Sequence, residues 1–433
     1  MPTIFLYHGQ ASIALGPDGN PHIAYVNLND ADLRYAHKSD GTWTDEAAVT
    51  VGDLGQYTGI AVDPSGYAHI VCQSVIYFGA YVLYATNKPG TWTTMVPSGD
   101  GRHPSVATDA QGNAHIAVML ASSSIWHRLQ YITDKSGTWT SKNVGAKGSG
   151  WDPSIIVDAS GAVHIADEVV FPADPYEIVG PGYFTNASGT WTTDMAFERR
   201  DYDDHYALAL DAAGKPRFVY YIYYNQLTTL FATRESGTWV SATLDTGADN
   251  GRGTWWGMDD AGGQQVIYAN HDSHYEYGYR PSATENWTYE FILSDFFAPA
   301  TPYNKWFVVD GAGIGHFAFS DNSRCVYATN ESGTWAGWNI DEFPSGGASG
   351  RHLDVHHSGL EAMSFLQYEV GLYVGTSSDG SLWNFELVDP LAEYRDVTWI
   401  AFGPGGDIHV AYSRPDGIAY AGNASGGMEC RDR

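Results

Sequence analysis

The sequence predicts an all-β fold, a single-domain β-propeller of nine four-stranded blades spanning residues 1–433, and three observations carry that prediction. A turn glycine recurs at Gly19, Gly66, Gly112, Gly161, Gly214, Gly262, Gly313, Gly359 and Gly406, at intervals of 46 to 53 residues. A tryptophan keeps the same period at Trp43, Trp92, Trp139, Trp191, Trp239, Trp287, Trp335 and Trp383. Between these markers lie short apolar runs with alternating character, in a chain with 14% aromatic residues and 49 glycines. Many short strands separated by tight turns have this composition, and a repeat of about 40 to 50 residues holding four strands is the signature of a propeller blade.

The stretch Arg102 to Val144 shows how one unit is built. A β-rich run ends at Asp109, the chain reverses through Ala110, Gln111 and Gly112, and Ala114 to Leu120 returns as a second strand. A third strand, Leu129 to Thr133, turns through Lys-Ser-Gly into a fourth, Thr138 to Val144, that begins near Trp139. One such sheet cannot bury both of its faces, so successive units must stack on one another. The blades run approximately 10–51, 57–97, 104–144, 153–196, 206–244, 255–293, 305–340, 352–388 and 398–422. The ninth unit lacks the tryptophan and shows three clear strands, so the apolar N-terminal strand Thr3 to Tyr7 is expected to complete it and close the ring. Eight blades plus a loose terminal unit is the alternative, since about four to eight is the usual number.

Composition narrows the function. A net charge of −28 repels polyanions, so nucleic acid is not an expected partner. No run of 18 apolar residues suggests a membrane span. No basic region leading into an apolar one marks a signal peptide at MPTIFLYHG, although an extracellular or periplasmic location is the expectation. Cys72, Cys325 and Cys430 are too scattered for a disulfide framework or a zinc site, and no cofactor or metal is expected. The run Asp201-Tyr202-Asp203-Asp204-His205 offers oxygens to a hard cation but lacks the spaced acidic pattern of a calcium loop. The sequence sets no oligomeric state.

Residues repeated in every unit should serve the fold. His22, His69, His115, His164, His316 and His409 each follow their turn glycine by three residues, so an imidazole hydrogen-bonded within its own sheet is expected. The aspartates Asp63, Asp109, Asp158, Asp211, Asp259 and Asp310 should accept N–H bonds inside their turns. The tryptophans should pack between neighbouring sheets.

Function is sought where the repeats differ, in the connections between units. These place Tyr57, Arg102, His103, Trp151, Asp152, His205, Arg252, Trp255, Tyr303, Arg351, His352, Tyr394 and Arg395 just before or at the innermost strands, at one mouth of the channel. The pairs Arg102-His103 and Arg351-His352 are expected to hold equivalent places. Aromatic faces and forked guanidinium donors suit a glycan or another small polar ligand. Acids match or outnumber arginines across these connections, which favours a neutral or singly charged sugar over an anionic polymer.

At HIAYVNLNDADLRYAHKSDGTWT and HIVCQSVIYFGAYVLYATNKPGTWT the chain resembles the bacterial sialidase-like, BNR-type propeller repeats, and the likeness extends over all nine units, with units six and eight worn. That resemblance implies a carbohydrate-related, lectin-like or enzymatic propeller of a bacterial, secreted kind. The chain has Ser-Gly-Thr-Trp in place of full sialidase boxes and no Arg-Ile-Pro motif, which argues against sialidase activity. The leading expectation is a saccharide-binding propeller. The first alternative is a polysaccharide lyase in which His103, His205, His352 or Tyr394 takes the proton α to a uronate carboxylate, with Arg102 or Arg351 offsetting its charge. Glycoside hydrolysis by paired carboxylates is a further enzymatic option. A structural or protein-interaction propeller without catalysis is the remaining one.

Overall fold

The computed structural model describes residues 11–431 except 19, 28–31, 40–41, 51–53, 77–78, 89, 121–126, 146–147, 150–152, 172–177, 197–205, 212–213, 223–227, 236, 247–254, 260–262, 270–273, 282–284, 293–304, 311, 321–324, 340–347, 357, 368–369, 391, 393–397, 404, 415–416 and 424–428. The chain is all-β and of the nine-bladed propeller class: nine four-stranded antiparallel sheets follow one another, each a simple meander. They span 11–49, 54–98, 101–143, 154–195, 206–246, 255–291, 305–339, 348–389 and 399–431 and are called sheets 1 to 9 below.

The chain divides into two compact units. In the first, which holds sheets 1 to 4, the core lies between neighbouring sheets. Val71, Val82 and Tyr84 of sheet 2 pack with Ile116, Val118 and Ile132 of sheet 3, and Leu129 and Tyr131 of sheet 3 pack with Ile155, Ile165 and Phe184 of sheet 4. The second unit holds sheets 6 to 9 and is built in the same way. Tyr275 and Tyr277 of sheet 6 meet Phe317 and Phe319 of sheet 7, while Leu366 and Val374 of sheet 8 meet Ile400 and Val410 of sheet 9. Residues of sheet 5 fall in both units.

The repeated polar residues do the structural work expected of them. In sheet 3 the His115 Nδ1 lies 2.6 Å from the Tyr131 hydroxyl, and the same pairing joins His22 to Tyr35, His69 to Tyr84, His164 to Tyr183, His316 to Tyr327 and His409 to Tyr420. Asp109 Oδ1 accepts N–H bonds from Gln111 and Asn113, and its Oδ2 faces His115 Nε2 at 3.3 Å. Asp63, Asp158 and Asp310 accept backbone N–H bonds in the same way. Burial would push the Asp109 carboxyl up, but the bonds from Asn113, His115 and Gln111 outweigh it and hold the group down at about 2.

Repeat tryptophans reach the tyrosine of the preceding sheet. Trp139 stands edge-on to Tyr84 at 4.8 Å between centroids, Trp92 and Trp335 do the same to Tyr35 and Tyr277, and Trp191 meets Tyr131 at a tilt of 55°. Lys88 adds a polar tie, donating from Nζ to the Gly112 carbonyl of the next turn at 2.8 Å. The lone described thiol, Cys72, is buried, which pushes it up to about 12 and leaves it unreactive as a nucleophile.

The ninth sheet corrects one expectation. Its outer strand is Glu429–Arg431, paired with Gly417–Gly422 so that Tyr420 faces Arg431 and Gly422 faces Glu429. The segment Thr3 to Tyr7, expected in that place, lies outside the described residues. The reason is local. Asn423-Ala424-Ser425-Gly426 repeats Asn186-Ala187-Ser188-Gly189, with Met428 where the tryptophan should stand. Asn423 Oδ1 accepts the Ile408 N–H at 2.6 Å just as Asn186 Oδ1 accepts that of Val163 at 2.7 Å. The chain's own next described segment, Glu429–Arg431, therefore occupies the edge.

Candidate functional site

Two departures from the regular ladder stand out in the first unit. In sheet 2 the strand Leu54–Val62 pairs Gln56 with Gln73 and then Gly59 with Val71, so Tyr57 and Thr58 together oppose Cys72. In sheet 3 the strand Gly101–Thr108 pairs Arg102 with Met119 and then Ser105 with Ala117, so His103 and Pro104 together oppose Val118. Each is a β-bulge, one extra residue that re-aims the side chains beside it. Pro104 has no N–H to give the ladder, which makes its position a natural one for the irregularity.

Among the described residues the non-glycine residues with positive φ are Tyr57, at 53°, and His103, at 47°. Both hold the first place of their bulge, where a left-handed residue is ordinarily glycine. A Cβ in that region costs about 1–2 kcal/mol, and such strain persists only where the surroundings impose it. The surroundings are visible. Gln73, buried in the second strand of sheet 2, accepts the His103 N–H at 3.0 Å through its Oε1. The Tyr57 and His103 rings lie stacked, centroids 4.0 Å apart and planes 27° from parallel.

Arg102 is exposed beside this pair, and His127 enters from the start of the third strand of sheet 3. Burial lowers the His127 pKa, and the charges of Arg102 and His103 lower it further, so this imidazole stays neutral near pH 7. The cluster thus presents an aromatic face, a neutral base and a forked cation. Such a set can stack on a sugar ring, donate to hydroxyls and pair with a carboxylate.

The strain argument gives a test of its own. Replacing His103 by glycine should leave the protein more stable than replacing it by alanine, by about 1 kcal/mol, because only glycine relieves the left-handed conformation. Urea midpoints of the two variants would report this, and the reverse order would show that the backbone is not strained there.

In the second unit Arg351 and His352 do not occupy places equivalent to Arg102 and His103. In sheet 8 the strand Ala348–Val355 pairs Ser349 with Leu366 and then His352 with Ser364. Gly350 therefore holds the bulge's first place, Arg351 the second, and His352 lies back in the ladder. The spacing to the turn carries the same information, since His103 stands nine residues before Gly112 and His352 seven before Gly359. His352 is buried with its ring 3.7 Å from that of Trp306, and desolvation takes its pKa down to about 3. It is placed to pack, not to face solvent.

Trp255 opens the first strand of sheet 6, opposite Ile267. Trp151, Asp152, His205, Arg252, Tyr303, Tyr394 and Arg395 lie outside the described residues, as does the acidic run Asp201 to Asp204. Among the described residues no helix is long and apolar enough to cross a membrane. Sequence reasoning passed over Gln73, whose signal was a polar side chain in the apolar strand Ala68–Ile76.

No protein-family model and no curated protein matches the chain. Solved structures do resemble it. The chain is similar to a polysaccharide lyase described as a PL25 ulvan lyase bound to -[GlcA(1-4)Rha3S]-, at 12% identity over 96% of this chain and 92% of that one, with a TM-score of 0.44. It is similar to the Aleuria aurantia lectin crystallised with Fucalpha1-6GlcNAc, at 11% identity over 100% and 97% of the two chains, TM-score 0.37. A Hadza microbial sialidase, Hz136, shares 14% identity over 60% of this chain, TM-score 0.37, and the match spans 62% of the sialidase chain.

Proposed function

We propose that this protein recognises a saccharide through the strand bulges that carry Tyr57 and Arg102-His103. The observation that supports this reading is the stacked Tyr57–His103 pair, held at two bulges in backbone conformations unfavourable for both residues, with a guanidinium alongside. A fold has no need of strained side chains at a surface bulge, whereas a binding site does. The ligand class is a neutral or singly charged sugar, whose C–H face lies on the aromatic surface while Arg102 and the imidazoles meet its hydroxyls or a single carboxylate.

A glycan array probed with the wild-type protein should give hits that Tyr57→Ala and Arg102→Ala each weaken at least tenfold. An array without signal above background, or hits indifferent to both substitutions, would overturn the reading.

A second reading rests on His127. A neutral imidazole beside an arginine is the arrangement that β-elimination on a uronate requires: the base removes the C5 proton while the guanidinium offsets the carboxylate, the C4–O bond breaks, and the departing oxygen is protonated. Of the residues assigned to this chemistry from sequence, Arg102 and His103 lie in this cluster, and the buried His352 is ill suited to it. Polyuronates treated with the protein would develop absorbance at about 235 nm from the new double bond if this elimination occurs. A flat trace across them leaves binding alone.

A further inference from the structure

Sheet 6 departs from the repeat at positions that the strand register makes equivalent. Sheets 2, 3, 4 and 7 set His69 opposite Thr86, His115 opposite Thr133, His164 opposite Thr185 and His316 opposite Thr329. Sheet 6 sets Gln265 opposite Tyr279. Gln265 turns outward from its sheet, donating from Nε2 to the Gly313 carbonyl of sheet 7 at 2.7 Å. The Tyr277 hydroxyl, with no imidazole in its own sheet, accepts from Asn330 Nδ2 of sheet 7 at 3.4 Å. At this seam the outer strands of sheet 6 face the tight turns of sheet 7.

A cleft of about 270 Å³ lies here within the second unit, lined by Tyr277, Tyr279, Tyr289, Glu290 and Asn330 with the turn backbone at Gly313 and Gly333. It lies near the lower end of the roughly 300–1,000 Å³ typical of ligand pockets. Tyr289 is 43% exposed and free to offer a ring face. Glu290 brings the single formal charge of the lining. The nearby cation on the strand of Tyr277 and Tyr279, Arg280, is buried, with its guanidinium 4.9 Å over the Trp287 ring and bonded to Gln264. Aromatic faces, an amide, a carboxylate and exposed turn backbone suit hydroxyls and C–H faces, and the carboxylate repels an acidic ring.

We propose that the seam between sheets 6 and 7 is a separate binding site for a neutral sugar ring, with Tyr279 and Tyr289 as its stacking faces and Glu290 and Asn330 as acceptor and donor for adjacent hydroxyls. It shares no residue with the Tyr57 cluster and carries a carboxylate where that cluster carries a guanidinium. Nothing in the repeat calls for a tyrosine at 279. Threonine fills that place in sheets 2, 3 and 4, and its hydroxyl caps the neighbouring strand in at least two of them, from Thr86 to the Ala68 carbonyl and from Thr133 to the Ala114 carbonyl.

The test uses saturation-transfer NMR and calorimetry on the full chain with methyl glucoside, methyl galactoside, methyl mannoside, methyl fucoside and cellobiose, and with methyl glucuronide as the acidic arm. At least one neutral glycoside should bind, and the glucuronide should bind at least tenfold more weakly than methyl glucoside. Tyr279→Thr, which restores the residue of the other sheets, and Tyr289→Ala, at an exposed position, should each weaken the neutral ligand at least tenfold. Glu290→Gln should narrow the difference between neutral and acidic rings, and Tyr57→Ala should leave the neutral ligand bound. The proposal fails if no glycoside binds, if binding survives both tyrosine substitutions, or if Tyr57→Ala abolishes it.

Discussion

Acidification from pH 7 to pH 4 is expected to lower the unfolding stability by 3 kcal/mol or more, by roughly the magnitude that burial of His22 alone implies. The His22 pKa is pulled down to about 4 by desolvation first and by the neighbouring His37 second, and burial lowers His69 and His115 as well. The unfolded chain binds protons at these imidazoles from about pH 6.5 downward, whereas the folded chain refuses them until a lower pH. Their contribution is therefore complete above pH 6.5 and is lost as pH falls through the folded values. Below about 3.8 a second loss follows, because Asp109 and Asp158, held down to about 2, take protons later than they would in the unfolded chain. Urea midpoints followed by tryptophan fluorescence across this range would show both limbs. Midpoints that stay level from pH 7 to 4.5 would mean that the imidazoles are not held neutral, and a His22→Gln variant should flatten the first limb in part.

The second large effect concerns one hydroxyl. Replacing Tyr131 by phenylalanine leaves a buried His115 Nδ1 without its partner, a loss of about 1–3 kcal/mol. Tyr327→Phe should cost more, about 3–5 kcal/mol. Its hydroxyl meets both His316 Nδ1 and Glu361 Oε1, and Glu361, which opens the second strand of sheet 8, is 2% exposed. Without the phenol a buried carboxyl loses its donor, and the imidazole 3.4 Å away remains the nearest group to it. Chemical denaturation of the two variants would separate the cases. Equal losses would show that Glu361 draws little from the tyrosine.

What could be read from sequence was what the repeat enforces. A turn aspartate, a glycine three residues on and a histidine three beyond that recur because most of the sheets close the same hydrogen bonds, so spacing alone exposes them. The bulges were not legible in the same way. An inserted residue leaves the composition of a strand unchanged and shows itself only when positions are counted back from the turn, which is why Arg351-His352 looked like a copy of Arg102-His103. The last strand escaped for a different reason. Glu429–Arg431 was hidden by the search for an indole, although Asn423 already announced the turn. The departure of sheet 6 was visible as a missing histidine, but the bond of Gln265 to the turn of sheet 7 depends on where that side chain points.

The histidine–tyrosine bond closes inside one sheet, whereas the tyrosine–tryptophan contact leans on the sheet that comes next. A unit copied by gene duplication would arrive with its histidine–tyrosine pair already satisfied but would still need the apolar face of a neighbour. Because the faces on either side of a unit are built to one plan, inheritance can add or drop a whole repeat while each seam keeps its pattern.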